Sequence, residues 1–565
     1  MTNIKLSIYL FVFSIVTLTM NSISAQDMNL VTRLVEMGQY NHAKAILVPA
    51  AQSSNDTYLL YTLAKIYQDQ GIIDSANLYY TKITTVAVGT PMALICQNIV
   101  DFNNKKVPDV SNYNRAQKLA GSSKDLYALT QLAEVRYMTG DTSNWKQSLE
   151  MATKIDKKYI QAYIIAGGIY TKIAEKTLFG EDYGKASGRY EQALYYSPNN
   201  SEARTKLSYI FLLARNYGGA EQELLKVLEV DTAYIPALKS MGELEYTIGK
   251  YSQASYYFGK YMAIAETTPK DLSKYINILY FNKEYAKSNE LIDKSLIIDP
   301  ENAVLLRLQG YTSFELKKSS KGLDAMSKFF SLRKDIGNDK IIFSDYEYYG
   351  KLLSKEGKDS LAIVNLQNAL AMDSTKTYLY EDIAKAYEKM KDYIHAEESY
   401  EKLISKTSNV SAMIYFNMGL DYNYIATDSA VASDTTKFKE YITLADSCFS
   451  TVSKLSPNSH LGYIYRARMQ SKLDPESELG LAKVHYENAL TVIEAKNDTV
   501  KFKNEILEIY RYLGYYHYLQ YLNEKAAKNA DGVKYNKDMS ILYWQKILAY
   551  EPTDKIALEA VKVFK

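Results

Sequence analysis

The groups that could do acid–base, nucleophilic or metal chemistry are few or scattered. Catalysis needs them clustered: carboxylates tuned apart, a nucleophile beside its base, or ligands at metal spacing. His42, His395, His460, His485 and His517 stand far apart in the chain. His517 lies in the run Tyr515-Tyr516-His517-Tyr518, where a packed core imidazole is the simpler reading. His42 and His395 each precede an alanine, Ala43 and Ala396, and so belong to a repeated pattern. Cys96 and Cys448 read as small buried residues, too distant to bridge. HExxH, paired CxxC, Walker-type glycine loops, GxSxG and calcium loops are all missing. None of the many acidic side chains is singled out by an apolar setting that would tune a general acid. The expectation is a chain that is not an enzyme and takes no metal or cofactor.

Charge excludes other classes. With 67 Lys+Arg against 65 Asp+Glu, the net charge is +2, and no long run of either sign occurs. A nucleic-acid footprint or a polybasic membrane anchor is not expected. Ten prolines and 47% hydrophobic residues argue against disorder and against a loop-rich β protein. At 565 residues the chain exceeds the roughly 250–300 that one core organises, so it is multi-domain or a repeat array.

The N-terminal 25 residues have the three parts of a secretory signal. Lys5 precedes an apolar run from Leu6 to Met20, and Ser22-Ile23-Ser24-Ala25 supplies a small-residue cleavage site. The run is short for a membrane span of about twenty residues. Cleavage after Ala25 would leave an exported chain with no later transmembrane segment, periplasmic or alternatively outer-membrane-associated or secreted.

A 34-residue period organises the rest of the chain. Ala186, Ala220, Ala254, Ser288 and Gly322 are each 34 apart; Tyr190, Leu224, Phe258, Ile292 and Met326 keep step, as do Tyr217, Tyr251 and Tyr285. The period resumes with Ala362 and Ala396, then Leu366 and Tyr400. Each unit reads as two helices: Leu238, Met241, Gly242 and Tyr246 share one face, Gly249-Lys250 turns the chain, and Ala254, Phe258 and Tyr261 mark a second packed face. A small residue in each helix permits close approach, and Pro198, Pro300, Pro457 and Pro552 help end several units.

These residues resemble a tetratricopeptide-repeat (TPR) protein of an exported, Bacteroidetes-like bacterial kind. The match runs through Leu207/Ser208/Tyr217/Ala220/Leu224, Met241/Gly242/Tyr251/Ala254/Phe258, Gly350/Leu353/Ala362/Leu366 and Ala384/Tyr387/Ala396/Tyr400. The resemblance implies an all-α fold: a right-handed superhelical solenoid of about thirteen helix pairs with a C-terminal capping helix. The domain reading is a signal peptide at 1–25, N-terminal units at 26–90, a degenerate stretch at 91–125, the main array at 126–552 and a cap at 553–565. Trp145 replaces the small residue of its unit, and Ile556, Ala560 and Phe564 form one side of the cap. Four units carry extra residues between their two helices, near 175–185, 424–443, 471–478 and 521–539, which predicts longer turns on one edge.

The resemblance also implies that the first helix of each pair lines a concave groove for protein segments. Carried over by register, that groove holds Tyr209, Leu212, Tyr246, Asn277, Tyr280, Phe281, Arg307, Tyr311, Phe314, Tyr378 and Lys385. Tyrosine suits such a surface, since it offers a large area with two torsions and a polar tip. The expected function is an exported scaffold or adaptor for envelope protein complexes. An outer-membrane carbohydrate- or nutrient-binding protein is the alternative.

Overall fold

The computed structural model describes residues 24–332 and 341–564. The expected signal segment falls almost wholly outside these residues. Among the described residues all regular structure is helical: fourteen antiparallel helix pairs in tandem, a four-residue helix Ser429–Ala432 inside the turn of the twelfth, and a short terminal helix, Lys555–Lys562. The array is one pair longer than expected, because Pro91–Asn103 and Val110–Ser123 form a regular pair where the sequence reads as degenerate. The chain divides into two compact units, Met1–Leu291 and Ile292–Lys565.

The period has a steric cause. The small residue of each second helix is buried: Ala186, Ala220, Ala254, Ser288, Ala362 and Ala396 all have almost no exposed surface. The small residue of the first helix seats the large residue of its partner. A Cβ on Gly242 would lie 2.8 Å from the Cβ of Phe258, one on Gly310 2.4 Å from Met326, and one on Gly350 2.8 Å from Leu366. Gly419 with Phe449 and Gly514 with Trp544 repeat the arrangement in longer pairs. These contacts tie period to packing: one partner must be small because the other is large.

Most turns between paired helices are set by one residue in the left-handed region. Gly249 (φ +79°) and Gly357 (φ +72°) fill it in two pairs, but Arg215, Lys283, Lys317 and Lys391 fill it in others. Cations suit this place because the preceding helix ends there with unpaired carbonyls.

Three expectations need correction. Trp145 does not replace the small residue; it opens the helix Trp145–Ile155 at the place tyrosine holds elsewhere, buried with its ring 5.2 Å from Tyr170. The small residue is Ser148, three positions on and fully buried. The surplus residues mostly lengthen helices rather than turns. Ile160–Thr177 and Gly180–Tyr196 run to 18 and 17 residues, and Lys503–Ala526 and Ala530–Tyr550 to 24 and 21, against 13 and 14 in an ordinary pair. The terminal helix buries Ala557 and packs Ala560, Val561 and Phe564 inward, while Ile556 points to solvent.

Candidate functional site

In the unit Met1–Leu291 the first helices converge on a narrow interior. Thr57–Asp69 and Leu126–Met138 belong to the second and fourth pairs, yet they touch directly. The rings of Tyr58 and Tyr127 lie 4.9 Å apart edge to face, and Lys65 Nζ meets Glu134 Oε2 at 2.5 Å. Lys172 and Lys206, from the fifth and sixth pairs, lie close enough for their charges to act on Glu134. Burial alone would push the Lys65 ammonium down and the Glu134 carboxyl up. Their mutual attraction and hydrogen bond outweigh it, so Lys65 stands above and Glu134 below its ordinary value. Sequence register gave no hint of this interior, because the contact skips a whole pair.

Further along the same unit, the predicted groove residues take mixed roles. Tyr209 is 41% exposed and donates its hydroxyl to Glu175 at 2.8 Å. Burial and then the Glu175 carboxylate push its phenol up to about 12. Leu212 packs against the core of the following pairs. Asn277 donates to the backbone carbonyl of Ser273 one turn earlier. Tyr246 and Phe281 meet each other and share Tyr251, whose ring stacks on Phe281 at 5.2 Å. Tyr280 sits beside them against Phe281 and Tyr285. This aromatic cluster leaves Phe281 43% exposed.

In the unit Ile292–Lys565 the register places three predicted residues in the packing between consecutive pairs. Tyr311 is only 4% exposed, stacks on Tyr348 at 4.3 Å and donates to Asp345 at 2.6 Å. Arg307 grips the same carboxylate and covers the Phe329 ring, while Phe314 meets Tyr348 edge on. Arg307, Tyr311 and Phe314 thus join one helix pair to the next instead of lining an open groove. The sequence missed the partner: Asp345 is the third residue of its helix and also accepts from the backbone N–H of Ile342. Tyr378 and Lys385 do stay accessible. Tyr378 donates to Glu347 at 2.9 Å with Lys351 over its ring, and Lys385 pairs with Glu381.

One acidic cluster contradicts the reading that no carboxyl lies in an apolar setting. Glu397 and Asp421 are buried among Tyr400, Tyr422, Met418 and Leu403. Both oxygens of Glu397 and Oδ2 of Asp421 lack a hydrogen-bond partner. Burial first, then the neighbouring Asp421 charge, pushes Glu397 up to about 9; burial and Glu388 raise Asp421. Glu388 itself accepts from the Tyr400 hydroxyl at 2.6 Å. Sequence spacing could not reveal this cluster, since helix Tyr393–Lys406 supplies Glu397 on the same face as its buried Ala396 and Tyr400.

Other chemistry-bearing residues follow their expected settings. Cys96 and Cys448 are buried and unbridged. His517 is buried, with Nδ1 2.7 Å from Asn536 Oδ1 and its ring stacked over Tyr543. Among the described residues no group of three or more His, Cys, Asp or Glu side chains could hold a metal ion, and no helix is long and apolar enough to cross a membrane.

No protein-family model matches the sequence, and no curated protein does so either. Solved structures do. The C-terminal part of a TPR repeat-containing protein from Cytophaga hutchinsonii is 28% identical over 51% of this chain and 99% of its own, with a TM-score of 0.40. The similarity is to tetratricopeptide repeats. Pseudomonas aeruginosa PilF follows at 20% identity, covering 42% of this chain and 99% of PilF, with a TM-score of 0.32. YrrB, described as a TPR protein with an unusual peptide-binding site, is 16% identical over 37% of this chain and 97% of its own, at 0.29.

Proposed function

We propose that the chain is a non-catalytic scaffold that binds protein segments through its first helices, exported to a bacterial envelope and serving complexes there. One observation carries the reading. At one register position the residue is sealed in the core and, except at Ile276, small: Ser208, Gly242, Ile276, Gly310, Gly350 and Ala384. The very next residue changes from pair to pair: Tyr209, Glu243, Asn277, Tyr311, Lys351 and Lys385, with Tyr311 alone buried under the next pair. Packing holds the first position buried and leaves the second free to vary, which is how a fixed frame presents different chemistry along its length. Tyr209 and Lys385 are its exposed members, and Phe281 and Tyr378 add exposed rings at the ends of two first helices.

The test is in-cell crosslinking of the full chain in its native host, with partners identified by mass spectrometry. A Tyr209→Ala/Phe281→Ala/Tyr378→Ala variant, changed only at exposed positions, is the comparison. Envelope proteins captured by the wild type and lost from the variant support the reading. Capture of no protein, or only of cytosolic proteins, overturns it.

A further inference from the structure

In the unit Met1–Leu291 the turn of the first helix pair is bound to residues 198 to 225 positions later. That is about six to seven repeat lengths, so the seventh helix pair comes back beside the first. Arg33 Nη2 meets Asp231 Oδ2 at 2.5 Å, and Tyr234 donates to Glu36 at 2.7 Å. Gln39 Nε2 donates to the Ile264 carbonyl at 3.0 Å, and Met37 packs on the later core.

Glu266 makes the most telling contact. The helix Tyr40–Ser53 begins at Gln39, whose side chain caps nothing. Its first free N–H groups, on Asn41 and His42, donate instead to the two oxygens of Glu266 at 2.8 and 2.9 Å, and His42 Nδ1 lies 2.7 Å from the same carboxylate. A helix start needs its N–H groups satisfied, normally by a neighbouring side chain. Here the cap is supplied by a residue 225 positions away.

We infer that residues 33–42 form a clasp that closes the N-terminal unit on itself, so that a polypeptide reaches its inner face from the side only after the clasp releases. In a superhelix of helix pairs, side access runs between one turn and the next. The polar contacts of Arg33, Glu36, Gln39, Asn41 and His42 shut that gap, while the interior is narrow enough for alternate first helices to touch through Tyr58–Tyr127 and Lys65–Glu134. The clasp rests on the reading of first helices as the binding face, yet it is tested without any partner.

The experiment compares two amine reagents on the full chain: formaldehyde with a reductant, and a polyethylene-glycol active ester of about 5 kDa. Lys65 and Lys206 report the interior, and exposed Lys118 is the control. In the wild type the small reagent should modify all three, whereas the bulky one should reach Lys65 and Lys206 at least about tenfold less than Lys118. In Arg33→Ala/Glu266→Ala the bulky reagent should gain on Lys65 and Lys206 with Lys118 unchanged. Amide exchange at Asn41 and His42 should quicken while the circular dichroism holds. Equal bulky labelling of all three lysines in the wild type overturns the clasp. So does poor labelling of Lys65 and Lys206 by both reagents alike, or a folded variant with the wild-type pattern. Should the variant lose its helical signal, the wild-type comparison decides alone.

Discussion

Arg307 and Asp345 hold each other through two parallel contacts, Nε to Oδ1 at 2.6 Å and Nη2 to Oδ2 at 2.7 Å, with Asp345 completely buried. Lys239 and Asp271 occupy the same register positions in the other unit and meet at 2.7 Å. In both places the cation leaves one first helix and the acid sits near the start of the next. Burial would raise the Asp271 carboxyl, but Lys239 and Thr268 pull it down to about 2.

Asp345→Ala removes the buried acceptor shared by Arg307, Tyr311 and the Ile342 N–H and should destabilise its unit by about 3–5 kcal/mol. Arg307→Met with Asp345→Leu should recover part of that loss, because a packed apolar pair needs no desolvation of charge although the Tyr311 hydroxyl still loses its acceptor. Urea unfolding followed by Trp544 fluorescence reads both. Equal losses in the single and double variants would show that the ion pair itself holds these helices together.

Two glycines should respond with opposite signs. Gly242→Ala places a Cβ 2.9 Å from the backbone nitrogen of Phe258, which cannot swing away. It should cost about 1–3 kcal/mol despite the better helix propensity of alanine. Gly188→Ala, within Gly180–Tyr196, meets nothing within 4 Å. That change should stabilise by about 0.4–1 kcal/mol. Thermal melts of the two variants beside the wild type are sufficient.

Glu397 predicts a pH dependence with a definite sign. Its folded value, about 9, lies above its ordinary 4.5. Across that interval the folded chain keeps a proton that the unfolded chain has lost, so stability is full below it and falls as pH rises towards 9. Glu397→Gln should remove most of this slope. Hydrogen exchange of the helix Tyr393–Lys406 at pH 6 and pH 9 makes the comparison, and a slope unchanged by the substitution would assign the effect to Asp421, whose carboxyl burial also raises.

The chain has two tryptophans, Trp145 in one compact unit and Trp544 in the other, both buried. Trp145→Phe and Trp544→Phe therefore leave one reporter each. Their urea transitions should not coincide, as expected of an array rather than one all-or-none core. Coincident midpoints would contradict it.

What was legible in the sequence was whatever the 34-residue period forces. Gly242, Gly310 and Gly350 had to be small because Phe258, Met326 and Leu366 are large, and that alternation is visible without coordinates. The groove was only half legible. Tyr209 and Tyr311 share a register position, yet one is accessible and the other is sealed by Tyr348 and Asp345, because the approach of the next pair decides which face stays open. Pairing between His42 and Glu266, or between Lys65 and Glu134, was not legible. Such contacts depend on how tightly successive pairs wind, and winding sums small rotations that no single repeat displays.

Repeat arrays are usually treated as one-dimensional, each link feeling only the link beside it. The bond between Lys65 and Glu134 breaks that rule, since it ties the second pair to the fourth over the head of the third. Mechanically the segment is a braced truss instead of a string of beads. A lesion in the intervening pair, around Cys96, would then leave its two flanks still joined, and damage there need not spread to the ends.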